Sequence, residues 1–145
     1  MSHAYISVLV HIVFSTKNRE ALISEEMQAK LWPYIGGIAR ANHFKALAVG
    51  GMPDHVHALL SLPATIPIAK AVQLIKGGSS KWINDQSLRR SFGWQDAYGA
   101  FSIGISQVNS TIRYIKNQKQ HHTKIDFDDE LKLFLKRHGI PTLPA

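Results

Sequence analysis

The chain has 145 residues, 45% of them hydrophobic, a size typical of one domain with a single core, so we expect one domain over residues 1–145. It has no cysteine, which excludes disulfides, thiolate metal sites and cysteine nucleophiles. Lys and Arg outnumber Asp and Glu by 17 to 10, and the net charge of +7 favours a polyanionic partner such as nucleic acid, although ordinary solubility would also account for it.

No membrane partner is expected, because no run of apolar residues approaches the roughly 20 that a membrane span requires. The N-terminus lacks the basic and then apolar layout of a signal peptide. These two features predict a cytoplasmic protein.

The first half of the chain alternates between strand and helix patterns. Residues 5–15 place apolar side chains at every second position, which predicts a strand with one buried face. Ser24 is a typical helix N-cap, and helical spacing continues to about residue 42, with Pro33 expected to kink the helix or end its first turn. Residues 44–49 and 55–62 read as strands joined by a turn, and therefore as a hairpin.

The second half predicts one further strand and three helices. Pro67 suits the first turn of a helix that has Trp82 on its apolar face. Residues 89–99 read as a loop, 100–106 as a strand, 107–120 as a helix and 127–137 as a last helix. The order β-α-β-β-α-β-α-α predicts an α+β fold. We expect a ferredoxin-like four-stranded antiparallel sheet, two helices on one face and an additional C-terminal helix that bears a tyrosine.

The third predicted strand carries two histidines, His55 and His57, on the same face. Residues two apart in a strand are about 6.6 to 6.8 Å apart, so both imidazoles could bind one metal ion. We expect these imidazoles to point outward while the apolar residues of the strand lie under helices. The alternative is that they are two polar side chains on a solvated sheet face.

The helix at residues 107–120 carries Tyr114 and Gln118 one turn apart, so the two side chains lie on the same helical face. Tyr114 falls outside the apolar stripe of this helix and has basic neighbours, Arg113 and Lys116. This pattern makes Tyr114 a candidate nucleophile, although a packing role would also fit.

Taken together, these motifs resemble the IS200/IS605-type single-strand DNA transposases, which use a His-x-His pair and one tyrosine. The resemblance covers nearly the whole chain. The matching segments are His11 to Arg19, Gly51-Met52-Pro53-Asp54-His55-Val56-His57, Ile75-Lys76-Gly77-Gly78-Ser79-Ser80 and Tyr114-Ile115-Lys116-Asn117-Gln118.

The resemblance implies a mechanism and a set of site residues. His55, His57 and Gln118 would bind Mg²⁺ or Mn²⁺, and Tyr114 would attack a phosphodiester of single-stranded DNA. The product would be a covalent 5′-phosphotyrosine and a free 3′-hydroxyl, without ATP or an organic cofactor. Members of this family are homodimers that act on DNA hairpins at element ends, and the tyrosine helix can complete the site of the partner.

The remaining predictions concern DNA binding and the other histidines. Trp82 and Trp94 could stack on bases, although core packing is expected for Trp82. His11 is expected to make a structural hydrogen bond, and His121-His122 to lie at the surface or to contact the DNA backbone. Basic residues expected to contact phosphates are Lys17, Arg19, Lys76, Lys81, Arg89 and Arg113.

Three other functions fit parts of the sequence. A domesticated relative acting on genomic repeats would share the chemistry, but it often carries an extended tail. A non-catalytic module could hold a DNA hairpin while Tyr114 only stacks on a base. A metal-dependent hydrolase would need a carboxylate base, for which the sequence offers only Asp54, and it would not need Tyr114.

Overall fold

The computed structural model describes residues 4–86 and 91–141 of the chain. Its strands are β1 (Leu9–Ser15), β2 (Lys45–Met52), β3 (His55–Ser61) and β4 (Gly99–Ser102). Its α-helices are α1 (Glu25–Ala41), α2 (Ile68–Gln86), α3 (Val108–Lys116), α4 (Gln118–His121) and α5 (Phe127–Arg137). Within the described ranges, no helix is both long and apolar enough to span a membrane.

The four strands form one antiparallel sheet in the order β2-β3-β1-β4. In the register between the two central strands, Val13 lies opposite His57 and Ser15 opposite His55. A β-α-β-β-α-β chain with this strand order is the ferredoxin-like arrangement, so the predicted fold class is confirmed.

One face of the sheet packs against α1 and α2. Apolar side chains of β1 and β3, such as Ile12 and Val56, lie fully buried against Ile35 of α1 and Ile75 of α2. Gly78, the second residue of the Gly77-Gly78 pair in α2, is required by packing, because a Cβ at this position would lie 2.8 Å from Cδ1 of Ile38 on α1. The two helices therefore approach closely at Gly78.

The helix α1 continues past the exposed Pro33 as far as Ala41, which agrees with the predicted end at about residue 42. Other predicted boundaries were wrong. The strand β1 begins at Leu9, and residues 4–8 before it are exposed. The predicted helix over residues 107–120 is interrupted at Asn117, whose φ of −101° and ψ of 27° separate α3 from α4.

The second face of the sheet is also covered. Ile115 of α3 packs against Leu59 of β3, while Phe127 of α5 packs with Val13 of β1 and Phe101 of β4. The sheet is therefore the middle of three layers, with α1 and α2 on one side and α3 to α5 on the other.

Candidate metal and tyrosine site

The two histidines of β3 lie beneath α3, α4 and α5. Their exposed fractions are 1% for His55 and 0% for His57, so the expectation that they point outward to solvent was wrong. The reason is that the apolar stripes of α3 and α5 need the same sheet face for burial. His11 of β1 lies beside them, and its Nε2 is 2.8 Å from Nδ1 of His57, so it makes the hydrogen bond expected from the sequence.

Tyr114 and Gln118 face these histidines from α3 and α4. Gln118 is buried, and its Nε2 donates to the backbone carbonyl of Tyr114 at 3.2 Å. Its Oε1 is directed at Nε2 of His55, 3.1 Å away. The structure therefore brings all four of the site residues predicted from sequence, Tyr114, His55, His57 and Gln118, into one cluster.

Glu130 of α5 lies at the centre of this cluster, although it was not among the site residues predicted from the sequence. It is 1% exposed, and its Oε1 is 2.9 Å from Nε2 of His57. Its other oxygen, Oε2, accepts a hydrogen bond from the hydroxyl of Tyr114. One carboxylate thus joins the candidate nucleophile to a candidate metal ligand.

His121 and His122 also belong to the site. The predicted surface position was wrong for His122, which is 5% exposed, whereas the His121 side chain is 32% exposed. Nε2 of His122 lies 2.9 Å from Oε1 of Gln118 and 3.1 Å from Oε1 of Glu130. Nε2 of His121 lies 2.9 Å from the Tyr114 hydroxyl. The chain turns back after the single turn of α4, and this turn directs both imidazoles towards Glu130.

The electrostatics of the cluster favour an ionised Glu130 beside a neutral His57. Burial raises the pKa of Glu130, but hydrogen bonds from His57 and Tyr114 outweigh burial and lower this pKa to about 2. Burial lowers the pKa of His57 to about 4 against the opposing effect of Glu130. Burial and the Glu130 carboxylate raise the pKa of Tyr114 well above its usual range, so the phenol is protonated at neutral pH.

The donor set suits a divalent cation. Ligand atoms of His55, His57, His122 and Glu130 all lie within 4.8 Å of one another. With metal–ligand bonds of about 2.1 Å, neighbouring ligand atoms are about 3.0 to 3.4 Å apart, close to the separations of Oε1 of Glu130 from these imidazoles. Neutral imidazole and carboxylate are also the protonation states that bind metals.

A cleft of about 430 Å³ reaches Tyr114 from outside. It is lined by His11 and Tyr114 of the site and by Ser110 and Thr111 of α3, with Arg137 and His138 at the end of α5. Tyr114 is half-buried, so its ring is open to this cleft while its hydroxyl contacts Glu130.

The basic residues predicted to bind DNA lie in different environments. Lys17 and Arg113 are exposed. Arg19 and Lys81 form exposed ion pairs with Asp128 at 2.7 Å and Asp85 at 3.2 Å. Arg89 lies outside the described residues.

Lys76 and the two tryptophans, Trp82 and Trp94, contact other residues of the protein instead. The ammonium of Lys76 donates to three consecutive carbonyls, those of Gln95, Asp96 and Ala97, so it stabilises that loop. Trp82 stacks on Tyr34, and Trp94 donates to Ser79. Packing therefore accounts for both indoles.

Comparison with known proteins agrees with this geometry. Residues 4–118 match the protein family described as "Transposase IS200 like". The chain is 25% identical over 114 residues to the ISDra2 transposase TnpA of Deinococcus radiodurans. The match covers 74% of this chain and 81% of that protein.

Two solved structures share the fold. One is a candidate transposase from Deinococcus radiodurans R1, with a TM-score of 0.63 and 23% identity, covering 81% of this chain and 96% of the other. The other is a REP-associated tyrosine transposase bound to a REP hairpin, with a TM-score of 0.62 and 18% identity, covering 84% of this chain and 73% of the other. With the family match spanning residues 4–118, these findings establish that the chain belongs to the IS200-like transposases, the Y1 tyrosine transposase family.

Proposed function

We propose that this transposase cleaves and rejoins single-stranded DNA at the ends of an insertion element, with Tyr114 as the nucleophile. The observation that carries the proposal is the hydrogen bond from Tyr114 to Glu130, because Glu130 also contacts His57. A nucleophile and a metal ligand held by one carboxylate are suited to act on the same phosphate. The whole chain would act as one catalytic domain in the cytoplasm.

In the proposed reaction the phenolic oxygen of Tyr114 attacks the phosphorus of a phosphodiester, and the bond from phosphorus to the 3′-oxygen breaks. The products are a 5′-phosphotyrosine and a 3′-hydroxyl. The phenol proton passes to Glu130, whose Oε2 already accepts it in a hydrogen bond, and Glu130 then gives this proton to the 3′-oxygen as it leaves. Attack by a 3′-hydroxyl on the phosphotyrosine reverses these bond changes and rejoins the strand.

His55, His57 and Gln118 are the residues proposed to hold Mg²⁺ or Mn²⁺. A bound divalent ion supplies charge that polarises a phosphate oxygen. Within the protein, Asp54 orients one of these ligands, because its Oδ1 lies 2.7 Å from Nδ1 of His55. Gln118 ties the metal ligands to the tyrosine helix through its hydrogen bond to the Tyr114 carbonyl.

The DNA partner is proposed to be a hairpin at an element end, as in the REP-associated relative bound to a REP hairpin. The strand would reach Tyr114 through the cleft beside it, where Arg137 adds positive charge. Exposed Lys17, Arg19, Lys81 and Arg113, together with Arg89, are the proposed phosphate contacts. Lys76 is left out of this surface because its ammonium is bound by backbone carbonyls.

The test uses labelled single-stranded oligonucleotides taken from the DNA that flanks the coding sequence of this protein. They are incubated with wild type or Tyr114→Phe, with Mn²⁺ or EDTA, and separated on denaturing gels. A metal-dependent covalent adduct that is lost in Tyr114→Phe supports the proposal. Tight binding without an adduct favours the non-catalytic hairpin-binding module, and adducts formed only on dispersed genomic repeats favour the domesticated relative.

A homodimer with a shared site is part of the proposal. Mixing His57→Ala with Tyr114→Phe subunits leaves intact metal ligands in one chain and an intact tyrosine in the other. If the subunits exchange their tyrosine helices, the mixture regains activity that neither variant has alone. A mixture that stays inactive despite subunit exchange rules out a site shared between chains.

A further inference from the structure

The C-terminal segment after residue 118 lies beyond the part of the chain that matches the family, yet it contributes two side chains to the centre of the site. His122 and Glu130 come from this segment, and they are 5% and 1% exposed. Both contact the β3 histidines or Gln118 within the cluster. Neither residue is among the three metal ligands of the proposed function.

We propose that His122 and Glu130 are direct ligands of the same metal ion as His55 and His57. The ion is then held by three imidazoles and one carboxylate, with Gln118 beside them. This inference goes beyond the proposed function, because it concerns the ligand set of the ion and does not depend on what Tyr114 attacks.

The first argument is the orientation of the three imidazoles. Each one uses Nδ1 for a separate partner, namely Oδ1 of Asp54 for His55 at 2.7 Å, Nε2 of His11 for His57 at 2.8 Å and the Ile125 carbonyl for His122 at 2.8 Å. All three Nε2 atoms then face Oε1 of Glu130, at distances of 2.9 to 3.5 Å. Imidazoles fixed through one nitrogen, with the other directed at a common centre, are typical of metal sites.

The second argument is the position of two oxygen atoms, Oε1 of Gln118 and Oε1 of Glu130. Both face Nε2 of His122, at 2.9 and 3.1 Å, while Nδ1 of that ring lies against the Ile125 carbonyl. Both also face Nε2 of His55, at 3.1 and 3.5 Å, while Nδ1 of that ring lies against Asp54. Nitrogen and oxygen atoms that converge in this way can bind one cation placed among them.

The ligand set also indicates which ion is preferred. Imidazole nitrogen suits Zn²⁺ and other first-row transition ions, whereas Mg²⁺ favours carboxylate and water. Three imidazoles and a single carboxylate therefore favour a transition ion such as Zn²⁺ or Mn²⁺ over Mg²⁺. The two oxygens of Glu130 divide its contacts, since Oε1 faces the ion and Oε2 remains with Tyr114.

The experiment is calorimetric titration of EDTA-stripped protein with Zn²⁺, Mn²⁺ and Mg²⁺. Wild type should bind one transition ion per chain, with Mg²⁺ at least about tenfold weaker. Glu130→Gln and His122→Asn should each weaken Zn²⁺ and Mn²⁺ binding by more than about tenfold, since even outer-shell changes cost 10- to 100-fold. Asp129→Asn on the same helix and His43→Asn after α1 remove exposed side chains of the same types, and these controls should bind as wild type does.

A second readout is amide exchange across residues 122–137. Because the proposed ion links α5 to β3, adding Zn²⁺ should slow exchange there in wild type and much less in Glu130→Gln. Thermal melting followed by circular dichroism checks that each metal-free variant is folded. If Glu130→Gln is not folded, His122→Asn provides an independent test.

The two proposals can fail separately. Wild-type affinity in both folded variants overturns this inference, and so does a wild type that binds no ion. A Tyr114 adduct formed alongside either result leaves the transposase reaction standing. Conversely, the expected loss of affinity without an adduct on any oligonucleotide overturns the reaction and leaves the ligand set.

Discussion

Substitution of Gly50 by alanine should disturb the tyrosine helix directly. Gly50 lies in β2 opposite His57, and the backbone of α3 crosses above it. A Cβ at Gly50 would lie 2.4 Å from the carbonyl oxygen of Ile115 and 3.0 Å from its Cγ2. An ordinary contact begins at 3.4 Å, so either α3 or β2 must move by about 1 Å.

This displacement has consequences for stability and for reaction rate. Overpacking of this kind costs about 1 to 3 kcal/mol in free energy of unfolding. Tyr114 precedes Ile115 on the helix that must move, and a misplacement of about 1 Å at a reacting group can reduce the rate by about 100-fold. If β2 moves instead, the change reaches His57, its partner in the sheet.

The matched control for Gly50→Ala is Gly77→Ala. Gly77 lies inside α2 and has nothing within 4 Å of the added Cβ, so alanine should stabilise the protein by about 0.4 to 1 kcal/mol. Urea unfolding gives the two stabilities, and the initial rate of adduct formation gives the two activities. If Gly50→Ala matched wild type in both measurements, α3 would not lie against β2 as described.

Three further predictions follow from the site. In EDTA, the unfolding free energy should fall by on the order of 5 kcal/mol as the pH is lowered from about 6.5 to 4. The pKa of His11 is lowered to about 3 and that of His57 to about 4, so between these pH values the unfolded chain binds more protons than the folded one. Urea unfolding at each pH measures the decline in stability. The variant His11→Gln should show a smaller decline. Asp54→Asn should weaken metal binding by about 10- to 100-fold in calorimetry, because the amide orients His55 less strongly than the carboxylate does, and an unchanged affinity would remove Asp54 from the site. Arg113→Gln should weaken binding to every single-stranded oligonucleotide and reduce the slope of log K against log salt by nearly one, whereas an unchanged slope would mean that Arg113 contacts no phosphate.

Local patterns predicted most of the fold. Alternation in β1 and β3 and helical spacing in α1, α2 and α5 are short-range signals, and the order of these elements leaves few arrangements. The His55-x-His57 pair and the Tyr114-x-x-x-Gln118 pair were recognised because the members of each pair are close together in sequence. That these pairs meet depends on how α3 and α4 pack on the sheet, which no local pattern specifies.

Glu130 and His122 were missed for physical reasons that are now clear. Asp128, Asp129 and Glu130 all lie in the first turn of α5, where acids complement the helix dipole, so Glu130 does not stand out in the sequence. It shares a helical face with Phe127 and Phe134, so a single carboxylate in an apolar stripe was the signal that could have identified it. His121 and His122 were expected to lie apart from the site, because neighbours in a regular helix diverge by about 100°. The chain turns after α4 and brings both to Glu130, and this turn has no clear sequence pattern.

Lys76 shows that a basic residue in the sequence is not enough to predict a contact with phosphate. A lysine in a basic chain predicts a phosphate contact, but only the fold reveals that the carbonyls of residues 95–97 surround its ammonium. The number of basic residues predicts the sign of the net surface charge. The structure is needed to tell which of these residues can contact DNA.

The most direct test of the central proposal is to locate the covalent bond. The chain has four tyrosines, Tyr5, Tyr34, Tyr98 and Tyr114, so a protein–DNA adduct formed with Mn²⁺ can be digested and its nucleotide-bearing peptide sequenced by mass spectrometry. The proposed mechanism predicts a 5′-phosphonucleotide on Tyr114 and on no other tyrosine. A nucleotide on another residue, or cleavage of the strand with no covalent protein–DNA intermediate, would contradict it.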